Sequence, residues 1–396
     1  MFRLALKGSS LSVASASSRR LAAIAAGLVS TVPAASHGTH ASSCSAGPIP
    51  ASMNAIVLTA TGPEENLKMT NIPVAAPATN EVLVKIAACA VCYRDLLDRK
   101  GAFPFIMTPI VPGHEIAGTV AQVGTNVKDL SVGDRVVSLH WGSCGQCPAC
   151  LANHTTSCEQ ARASFLGLTA NGGYAPFITA SARTFTKVPA QFTSIQASAI
   201  MCTFAVAWRA AVTRGRLKAG EKIVVTGATG GVGSAMVVLA KAMGCTVTAV
   251  TSSDAKVDYL KGLGADHVVV AKNSTFKIPD EFKPTLAFEA VGEPTFNSSL
   301  RSLHTGGRLI LIGNVTVGAI NLKLGYLIIN SIEIIGSDSC TATELQDVMA
   351  FMVKHNIRPN ISAVLPLGEA ADAHRMLANR GATGRVVLKV DEQSSW

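Results

Sequence analysis

Charge is scarce in this sequence: 15% of its 396 residues are Asp, Glu, Lys or Arg, against 48% hydrophobic. That balance excludes a disordered chain, which needs few apolar residues and high net charge, and the length suffices for two domains with their own cores. Aromatics are few as well, at 5%. No basic run or basic-aromatic interleaving occurs, so the net charge of +9 is not a nucleic-acid footprint. Acid is missing from the start of the chain, where Glu64 is the first carboxylate, yet Arg3, Lys7, Arg19 and Arg20 fall within residues 1–52. Beyond residue 52, thirty cations face 25 acids, a balance of +5.

Residues 1–52 are rich in Ser and Ala and hold one apolar stretch, LAAIAAGLV from Leu21 to Val29. A bilayer span needs about twenty such residues, so no membrane span is expected there. An acid-free start bearing Arg and Ser reads as a cleaved mitochondrial transit peptide, with a plastid, secretory or cytoplasmic destination as alternatives. Cysteines spaced for metal and a glycine loop that requires a soluble nucleotide pool argue against secretion.

From Ala55 to about Arg183, short β segments alternate with Gly and Pro turns (AIVLTA, EVLVKIAACAV, EIAGTVAQVG, GDRVVSL, YAPFITA). This pattern predicts a small, partly open β barrel. IQASAIMCTFAVAWRAAVTR then reads as helix. Six strands that are apolar throughout follow, alternating with helices, as a parallel sheet covered on both faces requires.

The first of these strands, KIVVTG, runs into GATGGVG and a helix. Gly227, Gly230 and Gly233, with Thr229, Gly231 and Val232 between them, let backbone N–H groups approach a pyrophosphate at the positive end of that helix. The pattern predicts a dinucleotide site; its bland counterpart is a tight turn without ligand. The second strand ends in VTAVTSSDAK, placing Thr251, Ser252 and Ser253 where a carboxylate would bind the ribose of NAD. Small hydroxyls leave room for a 2′-phosphate and Lys256 adds charge, which favours NADP(H) over NAD(H), unless Asp254 reaches the ribose from one turn later.

Cys144, Cys147, Cys150 and Cys158, in GSCGQCPACLANHTTSC, have the spacing of a closed tetrahedral Zn²⁺ site of structural type. Local disulfides or redox pairs are the alternatives.

Cys92 in AVCYRD, His114 and Glu115 in PGHE, and Cys202 each have a bland reading alone. Together with the glycine turn, the four-cysteine loop and the phrases VPGHEIAGTVAQVG and VGDRVV, they make the chain resemble the medium-chain zinc-dependent alcohol dehydrogenases, over essentially all of residues 53–390. The resemblance implies an α/β architecture. A GroES-like β-barrel catalytic domain would span 53–200, completed by 341–396, around a Rossmann NAD(P)-binding domain at 201–340. It implies a catalytic zinc on Cys92, His114 and Cys202, with Asp95 orienting His114 and Glu115 able to approach the metal. It also implies a homodimer or homotetramer.

One position departs from the family pattern. Where these enzymes place a Ser or Thr that relays a proton, this chain has Arg94, whose guanidinium cannot give one up. Leu97 offers no substitute. Arg94 could fix an anion or stabilise an enolate, or it could form an ion pair with Asp95 or Asp98. CYRDLLDRKGAFP and GGRLILIGNV are similar to acryloyl-CoA reductase branches of the superfamily. The sequence thus predicts a zinc-dependent NAD(P)(H) oxidoreductase. The first reading interconverts an alcohol and a carbonyl, the second is an NADPH-dependent enoyl-CoA or enone reductase, and the third a non-catalytic zinc- and nucleotide-binding protein. The substrate is a small molecule, with no nucleic acid partner.

Overall fold

The computed structural model describes residues 48–379, 383–394 and 396. The leader expected at residues 1–52 falls almost wholly outside them.

Two sheets carry the fold. The first is built on Glu81–Val91, whose apolar run EVLVKIAACAV is buried on both faces. It pairs antiparallel with Glu115–Val123 and Phe177–Ser181, and the sheet continues through Arg135–Ser138 to Phe185–Lys187. Its other side is completed by the C-terminal part of the chain: Arg385–Lys389 pairs antiparallel with Glu81–Val91, and Ile361–Pro366 lies parallel outside it. A hairpin, Ser52–Leu58 with Leu67–Pro73, packs on the same core.

The second sheet is parallel and six-stranded. Its order is His267–Val270, Thr246–Thr251, Lys222–Val225, Leu286–Glu289, Arg308–Leu311 and Glu333–Gly336. Strand order reverses between Lys222–Val225 and Leu286–Glu289, where doubly wound sheets open a crevice at the strands' carboxyl ends. Alternate side chains serve opposite layers: Ile223 and Val225 pack in one core with helices Gly231–Ala242 and Ala342–Lys354, whereas Val224 packs in the other with helix Glu293–Ser302.

The helix between the sheets, Ser194–Arg214, is long and apolar enough to cross a membrane, but 72% of its most apolar stretch is buried in the protein. It is a core helix. It is interrupted by π turns at Met201–Ala205 and Arg209–Arg214; the Ala205 N–H, for example, donates to the Ile200 carbonyl five residues back. Such widened turns re-aim side chains and often mark functional sites; the first contains Cys202.

Candidate active site and metal centres

Strand Glu81–Val91 ends at Cys92, which caps helix Tyr93–Arg99. Its backbone N–H donates to Asp95 Oδ2 at 2.8 Å and its Sγ accepts from the Arg94 N–H at 3.5 Å. Cys92 and Asp95 are thereby fixed by one capping box, a backbone device that serves the site. His114 and Glu115 enter from the neighbouring strand, where Glu115 pairs with Ala90. Gly113 before them has φ +91°, and a Cβ there would stand 2.4 Å from the Tyr174 ring and 2.9 Å from Cys89 Sγ. The PGHE turn therefore requires glycine for both conformation and space.

Cys202 comes from the interdomain helix, its Sγ 3.8 Å from that of Cys92. Ligand atoms of Cys92, His114, Glu115 and Cys202 all lie within 4.8 Å of one another. His114 Nε2 is buried with no hydrogen-bond partner, while Nδ1 lies 2.9 Å from Asp95 Oδ1. With Nδ1–H donating to Asp95, a deprotonated Nε2 would present its lone pair to two thiol sulfurs. Two sulfurs and one imidazole nitrogen without a hydrogen-bond partner fit a zinc ion. Burial and the Arg94 charge oppose protonation of this imidazole, but Asp95 outweighs them and raises His114 to about 9, a proton that a metal would displace.

A directed hydrogen-bond chain stands behind the ligand. Arg99 Nε donates to His374 Nδ1 at 3.3 Å; the other nitrogen of that neutral ring lies 3.1 Å from the Tyr174 hydroxyl, which donates to Asp95 Oδ2 at 3.3 Å. Burial lowers His374 to about 4, so the ring stays neutral and joins one donor to the next. On the opposite side Arg385 ion-pairs with Glu115, and its Nη1 lies 2.8 Å from where a Gly231 Cβ would stand, at the start of helix Gly231–Ala242. Arg385 thus lies between the Cys92–His114–Glu115–Cys202 cluster and the glycine turn. His140 is buried with its ring centroid 5.0 Å from that of His114, and its Nδ1 lies 2.7 Å from Ser339 Oγ. Sequence reasoning assigned no role to His140, His374, Tyr174 or Arg385.

Arg94 is folded back beside His114. Its Nη2 lies 2.9 Å from His114 Nδ1 and 3.0 Å from the Leu166 carbonyl, and its Nε is 3.2 Å from Asp98 Oδ2. Of the two partners expected for an ion pair, Asp98 is the one it meets. Burial raises Asp98 to about 7 even with that guanidinium beside it.

Cys144, Cys147, Cys150 and Cys158 also converge within 4.8 Å. The Sγ atoms of Cys144 and Cys150 stand 3.9 Å apart and all four thiols are free, so the disulfide alternative is not realised. The N–H groups of Gln146 and Cys147 turn toward Cys144 Sγ and lower it to about 6, favouring the thiolate a metal needs. The loop is tied down by Arg209, which donates to Thr156 Oγ1 at 3.0 Å and to Glu344 Oε1 at 3.0 Å.

At the dinucleotide turn, Gly227 has φ +56°, and a Cβ on Gly233 would lie 2.2 Å from the Gly227 carbonyl. Thr229, Gly230, Gly231 and Val232 lead into helix Gly231–Ala242, whose cap is Gly230. Thr251 ends the second strand and is buried, Ser252 is exposed, and Lys256 is half-buried in the next turn. Buried Glu289 closes the crevice wall by accepting from Thr226 and Thr295 hydroxyls and the Val291 and Gly292 N–H groups.

Residues 78–190 match the alcohol dehydrogenase GroES-like domain, and residues 231–354 match the zinc-binding dehydrogenase domain. The chain is 33% identical over 338 residues to an acryloyl-coenzyme A reductase of Sulfurisphaera tokodaii, covering 85% of this chain and 100% of that one. It is 35% identical over 317 residues to an alcohol dehydrogenase of Geobacillus stearothermophilus, covering 78% and 92%. The solved structure of AibC superposes with a TM-score of 0.80 at 37% identity, over 86% of this chain and 97% of that one. A cobalt- and zinc-bound alcohol dehydrogenase from Pyrobaculum aerophilum gives 0.79 at 28%, over 86% and 100%. The chain belongs to the medium-chain, zinc-binding alcohol dehydrogenase family. It is an oxidoreductase that uses a nicotinamide cofactor.

Proposed function

We propose that this enzyme uses NADPH to reduce the activated carbon–carbon double bond of an α,β-unsaturated thioester of the acryloyl-CoA type. The observation that carries the proposal is Arg94: the position of the family's relay hydroxyl holds a guanidinium turned back onto His114, the Leu166 carbonyl and Asp98. Similarity to acryloyl-coenzyme A reductases of two organisms supports it. Oxidation of an alcohol to a carbonyl is the second reading, supported by the complete Cys92, His114 and Cys202 set. Kinetics of the purified chain on acryloyl-CoA, an alkenal and a saturated aldehyde test the choice. Turnover of the saturated aldehyde alone would overturn the ene-reductase assignment.

Zinc at Cys92, His114 and Cys202 would supply a Lewis acid for a carbonyl oxygen, and NADPH at the glycine turn a hydride. The chain's own part is positional. Asp95 keeps the His114 proton on Nδ1, and Arg385 joins Glu115 to the head of the cofactor helix. NADPH over NADH is supported by Thr251 and Ser252 in place of a ribose-binding acid, and equal kcat/KM for the two would refute the preference. A second, structural zinc is supported by the four-cysteine cluster, so metal analysis should find about two zinc per chain. A homodimer is supported by exposed Leu324, Ile328 and Ile329 on one helix beside the edge strand Glu333–Gly336. Mitochondrial import is supported by the acid-free, Arg- and Ser-bearing leader.

A further inference from the structure

The crossover from strand His267–Val270 to strand Leu286–Glu289 carries no α-helix, only a short 3-10 turn at Asp280–Phe282. In a doubly wound sheet a helix ordinarily covers this ground. Here an irregular chain covers it, and between that chain, helix Glu293–Ser302 and the segment before helix Leu324–Asn330 lies a cavity of about 980 Å³. It is on the sheet face opposite helix Gly231–Ala242, since it adjoins the core that contains Val224, and shares no residue with the metal cluster or the glycine turn.

Its lining includes four cations, Lys272, Lys277, Arg301 and Lys323, and no acid. None of the four forms an ion pair among the described residues, whereas Lys283, which feels the charge of Tyr326 in the lining, has Asp280 at 2.8 Å. Phe276 and Tyr326 supply an aromatic floor. Four cations without a paired carboxylate around one cavity give it a positive potential that favours an anion, and the volume suits a ligand larger than a simple ion.

We propose that this cavity is a second phosphate-recognising site, which takes an adenine nucleotide with its phosphates on the lysine and arginine rim and its base against the aromatic floor. That chemistry has two sources, the 3′-phospho-ADP handle of a coenzyme A ester and a free nucleotide.

The test uses the full chain saturated with NADPH, so that the glycine turn is filled, and calorimetric titration with 3′,5′-ADP, ATP and inorganic pyrophosphate. One further equivalent of nucleotide should bind: tighter 3′,5′-ADP identifies the coenzyme A handle, and tighter ATP identifies a free nucleotide. Pyrophosphate should bind more weakly, for want of a base. The pair Lys277→Glu and Arg301→Glu, both exposed residues, should weaken this binding about tenfold or more through charge reversal, with NADPH affinity unchanged as the control for folding. Absence of a second equivalent, nucleotide binding indifferent to the double variant, or pyrophosphate binding as tightly as nucleotide would each overturn the proposal.

Discussion

Arg94 Nη2 stands 2.9 Å from His114 Nδ1, the same ring nitrogen that Asp95 Oδ1 meets at 2.9 Å. A single nitrogen either donates its proton or accepts one, so the carboxylate and the guanidinium compete for it. With the proton toward Asp95, Nε2 is a free ligand; with Nδ1 accepting from Arg94, Nε2 would carry the proton and could not bind metal. Leu166 and Asp98 hold the guanidinium from behind, which leaves the carboxylate free to set the tautomer.

Replacing Arg94 by Thr restores the hydroxyl that alcohol chemistry uses. A positioned proton-transfer group is worth about 10²–10⁴ in rate, so Arg94→Thr should raise alcohol oxidation by at least about tenfold while enoyl reduction changes less. Steady-state kcat/KM for both substrates decides it; an unchanged alcohol rate would show that the missing hydroxyl is not what limits that reaction.

Asp95→Asn should weaken the metal at His114 by about 10- to 100-fold, the usual consequence of losing a carboxylate that orients a ligand imidazole. Competition with a chelator measures this, with metal at the four-cysteine loop as the internal reference. Equal chelator resistance in variant and parent would remove Asp95 from its orienting role.

His374 gives the fold an acid limit. Its folded value of about 4 lies below the ordinary 6.5, so between these values the unfolded chain binds a proton that the native ring refuses. Its contribution is fully present above pH 6.5 and lost as pH falls toward 4, by about 3 kcal/mol in all. The groups around it are Arg99, Tyr174, Asp95 and Glu64. Denaturant unfolding from pH 7 to 4 should show a shallower acid slope in His374→Gln than in the parent; parallel curves would mean that another group sets the limit.

Gly233→Ala puts a methyl 2.2 Å from the Gly227 carbonyl. The turn must open, and NADPH affinity measured by fluorescence should fall about tenfold or more, because the backbone N–H groups lose their alignment on the phosphates. Undiminished affinity would place the cofactor elsewhere.

What the sequence revealed and what it hid divide along sequence separation. The four-cysteine loop and the glycine turn are local patterns, each dictated by spacing within one element, whereas the Cys92–Asp95 cap emerged only in the structure. The barrel strands and the buried parallel strands were equally legible, because apolar periodicity is local too. Arg385 was invisible since its partner Glu115 is 270 positions away, and Tyr174 and His374 acquire meaning only when the C-terminal helix Ala370–Ala378 docks beside Tyr93–Arg99. Arg94 was legible as an anomaly, and among its expected uses the ion pair with Asp98 is the one realised; its turn to His114 and the Leu166 carbonyl was not legible, because those partners are remote in sequence.

Arg209 sits one helical stretch after Cys202, in the second π turn of the same interdomain helix, and grips both the four-cysteine loop through Thr156 and helix Ala342–Lys354 through Glu344. The four-cysteine loop is therefore moored to the helix that carries Cys202. Loosening of that loop would be expected to reach Cys202 through Arg209 and the helix they share.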